Sequence, residues 1–299
     1  MDSVNHINST VLKFVGHMPC QDGFTALWAA HKRYGNKAQY FGETHNGYNT
    51  TNTLLNHPDI GKFIVVFLDI CPKRSLLEAL ACKTKAIAVI DHHITSQEEC
   101  DDLPYTYFDT TRSGAGLAWD LLCGTSRPFL IDLVEDRDLW KHEIPDSKLY
   151  NLWISTLSKD FDSWTRAEWE LQNNPQAIKR IAQSYAQYEE HLIADVLNNS
   201  TIHYITLGNI SLPAITSSML KSDIGDKLCL LTKSACAIYH QSTKGWQFSL
   251  RSADKYEDVS IIAKQYGGGG HRNAAGFKLE TIDSITSPNK VVTICKNQN

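Results

Sequence analysis

Residues 63–68 read Phe-Ile-Val-Val-Phe-Leu, and Asp69 follows them directly. Every position of this run is apolar, so neither face of the strand that it predicts is suited to water. A strand buried on both faces is typical of the centre of a parallel sheet with helices on both sides. The run therefore predicts an α/β fold built on a doubly wound parallel sheet.

The surrounding sequence continues this alternation of strands and helices. Further short strands are predicted at residues 11–15, 38–41, 86–90 and 105–108, with helical patterns between and after them. Residues 146–200 have helical patterns throughout. We therefore expect a parallel-sheet domain over residues 1–145, a helical connector over 146–200 and a smaller α/β domain over 201–299. Strands of this last domain are predicted at 202–207, 227–231, 235–239 and 246–251, and a helix at 259–266.

The composition is that of a globular chain. The 299 residues are 42% hydrophobic and 21% charged, which is enough for two domains with their own cores. The longest apolar run is far shorter than the ~20 residues that cross a bilayer, and the start of the chain lacks signal-peptide features. The eight cysteines show no C-x-x-C spacing. We therefore expect a cytoplasmic protein without membrane contact and without a disulfide framework.

The net charge of −4 combines two parts of opposite sign. Residues 200–299 carry a net charge of +4, and the rest of the chain carries −8. A basic C-terminal part suits phosphate groups and an acidic N-terminal part suits metal ions, although solvated surface charge often gives such an asymmetry.

Acidic and imidazole side chains follow three of the predicted strands. The carboxyl ends of parallel strands lie at one edge of a sheet, where open α/β folds bind their ligands. Carboxylates gathered there repel each other unless a cation compensates them, and hard divalent ions such as Mn²⁺ accept mixed oxygen and imidazole ligands. The residues concerned are His17, Cys20 and Asp22, then Asp69, then Asp91, His92 and His93, and after a predicted helix Asp136 and Asp138.

This arrangement predicts a dinuclear metal hydrolase. A carboxylate that bridges two ions about 3.5–4 Å apart allows them to hold an attacking hydroxide and a phosphoryl oxygen in line. Each residue has an ordinary alternative: Asp69 as a helix cap, His92 and His93 as polar loop residues, and Asp136 as half of a surface ion pair. The joint placement of these residues favours the metal site.

A glycine-rich run near the C-terminus is the second candidate site. Residues 267–277 read GGGGHRNAAGF. Consecutive glycines let backbone amides approach a ligand closely and form concave anion sites, and arginine binds phosphate oxygens in bidentate fashion. The alternative is a flexible linker, which would not continue into His-Arg-Asn. The candidate substrate-binding residues are Arg251, Gly268, Gly269, Gly270, His271 and Arg272.

The order of these motifs resembles the DHH phosphoesterase superfamily, in the branch where a DHH domain precedes a DHH-associated C-terminal domain. That branch includes nanoRNases, 3′-phosphoadenosine 5′-phosphate phosphatases, cyclic-dinucleotide phosphodiesterases and single-strand exonucleases. The resemblance implies a metal-binding catalytic domain over residues 1–145 and a substrate-binding domain over 201–299. It also implies two divalent metal ions, with Mn²⁺ expected. The implied metal ligands are His17, Cys20, Asp22, Asp69, His92 and Asp136.

The resemblance further implies roles for single residues. Asp69 would bridge the ions, Asp91 would support the histidines, and His93 would lie near the scissile phosphate. The glycine run with Arg251 would hold the terminal phosphate or nucleotide of the substrate across the cleft between the domains. Cys20 stands where the family commonly has an aspartate, so Zn²⁺ or Fe²⁺ is the alternative if its thiolate is a ligand.

We therefore expect a metal-dependent phosphoesterase acting on short single-stranded oligonucleotides or small phosphorylated nucleotides. The alternatives are a manganese pyrophosphatase-like hydrolase and a non-catalytic nucleotide-binding module. The sequence leaves the oligomeric state open, with a homodimer as one alternative.

Overall fold

The computed structural model describes residues 10–44, 47–100, 102–243 and 245–282 and the backbone of 286–292. The chain divides into two compact units, one ending at Ala186 and the other beginning at Gln187. The functional division predicted at residues 145 and 200 stays a prediction. Among the described residues, no helix combines the length and the apolar character that crossing a bilayer requires.

The described part of the first unit is built on a parallel sheet of five strands, which confirms the predicted fold class. The strand order is β2-β1-β3-β4-β5, with the predicted apolar strand at the centre. Each chain crossover therefore returns over one face or the other of the sheet. The strands are β1 (Val11–His17), β2 (Ala38–Glu43), β3 (Phe63–Leu68), β4 (Ala86–Asp91) and β5 (Thr106–Phe108).

Helices cover both faces of this sheet and create two cores. Along β3, Val66 and Leu68 pack into one core, while Val65 and Phe67 pack into the other, as the two-residue period of a strand requires. The helices are α1 (Gln21–Tyr34), α2 (Asn49–Leu55), α3 (Arg74–Lys83), α4 (Ile94–Cys100), α5 (Gly114–Leu122), α6 (Phe129–Asp138), α7 (Ser147–Ser155), α8 (Phe161–Asn173) and α9 (Pro175–Asn199), the last of which continues past Ala186.

Helix α8 contributes one of the fully buried tryptophans of the first core. Trp164 is fully buried, and its ring meets that of Phe24 edge to face at 4.8 Å. Its indole Nε1 donates a hydrogen bond to Thr25 Oγ1 at 3.0 Å, which satisfies the one polar atom of the ring. Helix α8 is therefore held to α1, the helix that carries Asp22.

The described part of the second unit is a mixed sheet of seven strands with two further helices and the end of α9. Its order is β10-β11-β9-β8-β7-β6-β12, and the pairs are antiparallel except for β7 and β8. The elements are β6 (Ile202–Leu207), β7 (Ile210–Thr216), α10 (Lys221–Thr232), β8 (Cys236–Ser242), β9 (Gly245–Arg251), α11 (Val259–Gln265), β10 (Gly269–His271), β11 (Ala274–Leu279) and β12 (Thr286–Val292).

One predicted strand of this unit is wrong. Residues 227–231 lie inside α10, where Ile224 and Leu228, one helical turn apart, are both buried against the sheet. The short apolar run at 227–231 fits a strand or one side of a helix equally well, and packing decides for the helix.

Replacing Trp164 by alanine tests this packing. We expect Trp164→Ala to lower the free energy of unfolding by about 3–5 kcal/mol, because it leaves a large cavity and removes the hydrogen bond that Thr25 Oγ1 accepts. Trp169→Ala on the same helix is the matched control, since Trp169 is 55% exposed, and it should change stability by less than about 0.5 kcal/mol. Urea unfolding followed by circular dichroism measures both, and equal losses would contradict the packing described.

Candidate metal centre

Four elements of the first unit bring their acidic and imidazole groups to one point. Among the described residues, three carboxylates surround the His92 ring nitrogen Nε2: Asp69 Oδ1 at 3.2 Å, Asp138 Oδ2 at 3.5 Å and Asp22 Oδ2 at 3.8 Å. Asp22, Asp69 and His92 are buried, and the Asp138 side chain is 26% exposed. The cluster therefore lies just beneath the surface, with one ligand at its mouth.

Asp69 also faces a second group of donors. Its other oxygen, Oδ2, is 3.5 Å from His17 Nδ1, and the Cys20 thiol completes a group with donor atoms within 4.8 Å of one another. Asp69 thus directs one oxygen to each of two donor groups. Its backbone has a φ of 58°, a left-handed conformation that is costly for a residue with a side chain and recurs at functional sites.

Within the Asp-His-His triplet at residues 91–93, Asp91 holds His93. Asp91 Oδ1 lies 2.7 Å from His93 Nδ1 and also accepts the backbone amide of His92 at 2.7 Å. The second oxygen of Asp91, Oδ2, is buried and accepts no hydrogen bond from the residues described. Asp91 therefore fixes the orientation of the His93 ring at the edge of the cluster.

Asp22 is held by the start of helix α5. The amides of Gly114 and Ala115 donate to its two carboxylate oxygens at 2.7 and 3.0 Å. The positive end of the helix dipole favours a carboxylate there. Ser113 caps the same helix by accepting the Gly116 amide, so the first turn of α5 holds Asp22 through backbone amides.

Glu135 in turn holds the start of α5. Its Oε2 accepts the Ser113 amide at 3.0 Å, and its carboxylate also lies 3.1 Å from Arg112 Nε and 2.9 Å from Arg127 Nη1. This network of charges fixes α5 to α6, the helix that ends with Asp138. The position of Asp138 relative to the α5 amides that hold Asp22 is thereby set by contacts outside the cluster.

Burial and mutual repulsion displace the pKa values within the cluster. Burial and the charges of Asp138 and Asp69 raise the pKa of Asp22 well above its ordinary value. Burial also raises the pKa of Asp138, to about 6. Burial opposes the charged form of His92, but the carboxylates of Asp69, Asp138 and Asp22 outweigh it and raise the pKa of His92 to about 10. The metal-free cluster thus holds protons that a cation would replace.

Burial and neighbouring charges also shift the pKa values of Cys20 and of Asp69 itself. Burial, followed by the charges of Asp69 and Asp22, raises the pKa of the Cys20 thiol well above its usual range. Burial also opposes the ionisation of Asp69, but its contacts with His17 and His92 lower its pKa below the ordinary value. Asp69 therefore stays negatively charged within the cluster.

The donor set fits divalent cations. Asp22, Asp69 and Asp138 supply carboxylate oxygens, and His17 and His92 supply imidazoles, a mixture that suits hard or borderline ions such as Mn²⁺. The carboxylates are too close for all to be charged without a compensating cation. Cys20 adds a soft sulfur donor to the His17 group, which shifts the preference of that group toward Zn²⁺ or Fe²⁺.

The structure places most of the predicted site residues in this cluster, but Asp136 is not among the donors that it groups there. Asp136 Oδ1 accepts the backbone amides of Glu143 at 2.8 Å and Ile144 at 3.4 Å, so this carboxylate organises the loop after α6. Asp138 lies beside His92 in its place. The residues brought together are His17, Cys20, Asp22, Asp69, Asp91, His92, His93 and Asp138.

The glycine-rich run of the second unit is only partly an open loop. The amides of Gly267 and Gly268 close the end of α11 on Lys264 O and Ala263 O. Gly269, Gly270 and His271 form β10, the edge strand that pairs with β11. Gly268 also packs so closely that a Cβ there would lie 2.1 Å from Gly276 O. Helix termination and hairpin packing therefore account for much of the glycine content.

The predicted cations of the second unit differ in their surroundings. Arg251 and His271 both lie in register with Ala274, so they share one row and one face across β9, β11 and β10. Arg251 Nη2 donates to Ser222 Oγ at 2.8 Å. Arg272 Nη2 instead donates to the backbone carbonyls of Asp254 and Tyr256, contacts that fix the loop after β9.

Comparisons with known proteins give distant likenesses. No family model matches the chain. The chain is 28% identical over 293 residues to an uncharacterized protein of Acanthamoeba polyphaga mimivirus. The aligned region covers 92% of this chain and 69% of the relative.

Three similar solved structures have TM-scores below 0.5. One is a pGpG-specific phosphodiesterase, PggH, from Vibrio cholerae, with 13% identity, a TM-score of 0.49 and 92% and 95% of the two chains covered. Another is an exopolyphosphatase-related protein from Bacteroides fragilis, with 15% identity, a TM-score of 0.49 and 91% and 88% covered. An uncharacterized protein from Helicobacter pylori has 17% identity, a TM-score of 0.41 and 90% and 93% covered. These likenesses do not assign an activity to this chain, which has to be inferred from its site.

Gly114 offers a direct test of the metal centre. A Cβ at this position would lie 2.5 Å from Asp69 Cβ and 2.8 Å from Asp69 Oδ1, so Gly114→Ala should displace the shared carboxylate. We expect its Mn²⁺ affinity in isothermal titration calorimetry to fall by about 10- to 100-fold. Gly61→Ala is the control, because its nearest neighbour would be 3.8 Å away. Unchanged affinity in Gly114→Ala would show that Asp69 holds no metal.

Proposed function

We propose that this chain is a metal-dependent phosphoesterase of the DHH type, which hydrolyses phosphoester bonds in short oligonucleotides or small phosphorylated nucleotides. The observation that carries the proposal is the position of Asp69. Its two buried oxygens face two separate groups of donor atoms, one around His92 and one around His17. A carboxylate shared in this way is suited to two cations at once.

Each donor group has residues to hold one ion. Asp22, His92 and Asp138 would hold the first, His17 and Cys20 would hold the second, and Asp69 would be common to both. Divalent ions held there would supply positive charge to the phosphoryl oxygens and would lower the pKa of water. Mn²⁺ matches the oxygen-rich first group, and the sulfur of Cys20 makes Zn²⁺ or Fe²⁺ an alternative for the second.

His93 would act as a general acid. Burial opposes its charged form, but the hydrogen bond and charge of Asp91 outweigh this and raise the pKa of His93. With Nδ1 facing Asp91, the ring would present Nε2–H to a substrate. We propose that His93 donates a hydrogen bond or a proton to the phosphoester oxygen, which makes that oxygen a better leaving group.

Two further sets of contacts would keep this geometry fixed during the reaction. The α5 amides hold Asp22, and Glu135 holds α5 through Ser113 and its arginine partners. Because the cluster is preorganised, little reorganisation energy is needed when charge develops on the phosphoryl group.

The second unit would supply the phosphate-binding residues. Arg251 and His271 share a face of the sheet, one on each side of Ala274, and a guanidinium and an imidazole on one face are suited to a terminal phosphate. The exposed edge of β10, with its glycines, permits close approach of a ligand. Binding one terminus of a substrate favours short molecules over long ones.

The central test is hydrolysis with and without the shared carboxylate. Purified protein with Mn²⁺ should release mononucleotides from dinucleotides or phosphate from 3′-phosphoadenosine 5′-phosphate. Asp69→Asn should lower kcat/KM by at least about 100-fold, because it removes the charge that both donor groups share. Asp59→Asn, at an exposed position, is the control for the substitution itself.

The outcomes separate the alternatives. Normal turnover by Asp69→Asn would contradict the shared-carboxylate assignment. Phosphate release from inorganic pyrophosphate, with no nucleotide cleaved, would identify the pyrophosphatase-like alternative. A folded wild-type protein that retains no metal in mass spectrometry and cleaves none of these substrates would favour a binding module.

A matched pair of variants tests the choice between the two aspartates of α6. Asp138→Asn should reduce kcat/KM by at least about tenfold, since it weakens the group around His92. Asp136→Asn keeps an oxygen that accepts the amides of Glu143 and Ile144, so its activity should stay within about fivefold of the wild type. Steady-state kinetics at saturating Mn²⁺ decides, and a larger loss in Asp136→Asn would reverse the assignment.

A further inference from the structure

The loop between α6 and α7 exposes a tryptophan next to the metal centre. Trp140 is 42% exposed and lies two residues after Asp138, whose carboxylate is 3.5 Å from His92 Nε2. Two residues of chain separate their Cα atoms by at most about 7 Å. The Trp140 backbone therefore lies within about 7 Å of the backbone of a metal-centre residue, and its side chain exposes a large aromatic surface.

Neighbouring side chains hold the Trp140 ring in place. The guanidinium carbon of Arg137 lies 4.2 Å from the centre of the ring, a cation–π contact that fixes the ring from one side. The His142 ring meets it edge to face at 4.8 Å. The ring is thus oriented although much of it faces solvent.

The loop itself is built to keep this position. Asp136 Oδ1 accepts the amides of Glu143 and Ile144, and Asp136 O accepts the amide of Lys141. Trp140 and His142 have φ values of 55° and 53°, left-handed conformations that are costly for bulky side chains.

We infer that Trp140 is a stacking platform for the nucleobase of a substrate whose phosphate is bound at the metal centre. An oriented, exposed indole with an arginine on one side is suited to an aromatic base, since every base has a flat π face. An inorganic polyphosphate offers nothing to such a surface. This inference rests on the proposed function and narrows its substrates to nucleotides with a base beside the cleaved phosphate.

The test compares two ligands that differ only in the base. Adenosine 5′-monophosphate and ribose 5-phosphate are titrated by calorimetry into the full-length protein with Mn²⁺. Trp140→Ala should raise the Kd of adenosine 5′-monophosphate by about 5- to 100-fold and leave that of ribose 5-phosphate unchanged. Trp140→Phe should retain most of the affinity because it keeps an aromatic face. Trp169→Ala, which removes another exposed tryptophan, should change neither Kd.

Each outcome bears on the inference. If Trp140→Ala weakens both ligands equally, the residue only supports the loop, and the stacking role is overturned. If it weakens neither, or if the wild type binds both ligands with equal affinity, the stacking role is likewise overturned. Dinucleotide hydrolysis is measured on the same preparations: hydrolysis without any effect of Trp140→Ala on affinity rejects the platform alone, whereas a wild type that cleaves no nucleotide rejects the proposed function.

Discussion

A single buried negative charge constrains the whole site. A carboxylate taken out of water costs several kcal/mol unless opposite charge or hydrogen bonds compensate it. Asp69 is 1% exposed, and the imidazoles of His17 and His92 provide that compensation. They can do so because β1, which ends at His17, and β4, which ends one residue before His92, are the two neighbours of β3 in the sheet. The strand order of the sheet therefore places on either side of Asp69 the two imidazoles that compensate its charge.

Helices supply the remaining carboxylates of the metal centre. Three strands give Asp69 its two imidazole neighbours, but Asp22 and Asp138 come from helices. Contacts between helices set their positions: the amides of α5 hold Asp22, and Glu135 fixes α5 to the helix that carries Asp138. The site thus depends on helix packing as much as on the sheet.

The central strand and the meeting of residues at the strand ends could be predicted from the sequence, because both follow from hydrophobic periodicity and from the positions at which strands end. The run at residues 63–68 is apolar at every position, which predicts a central parallel strand, and β3 is that strand. Since parallel strands end at one edge, Asp69 and His92 were expected to meet, and they lie 3.2 Å apart. The assigned roles of these residues in catalysis stay predictions until activity is measured.

Other features depend on three-dimensional detail that the sequence does not contain. Asp136 and Asp138 are two positions apart in a helix, so a rotation of about 200° about the helix axis separates their side chains. Only the packing of α6 shows which one faces His92. The amides of Gly114 and Ala115 carry no side-chain signal, although a serine followed by small residues at a helix start was visible. In the glycine run, composition predicted a loop, but hairpin pairing determines its structure.

The alternation along β3 has a consequence for how this gene can vary. Val65 and Phe67 fill one core, and Val66 and Leu68 fill the other. Inserting or deleting one codon within this strand would exchange the two faces and turn the Asp69 carboxylate away from both histidines. Length differences between this chain and its homologues should therefore be confined to segments outside β3.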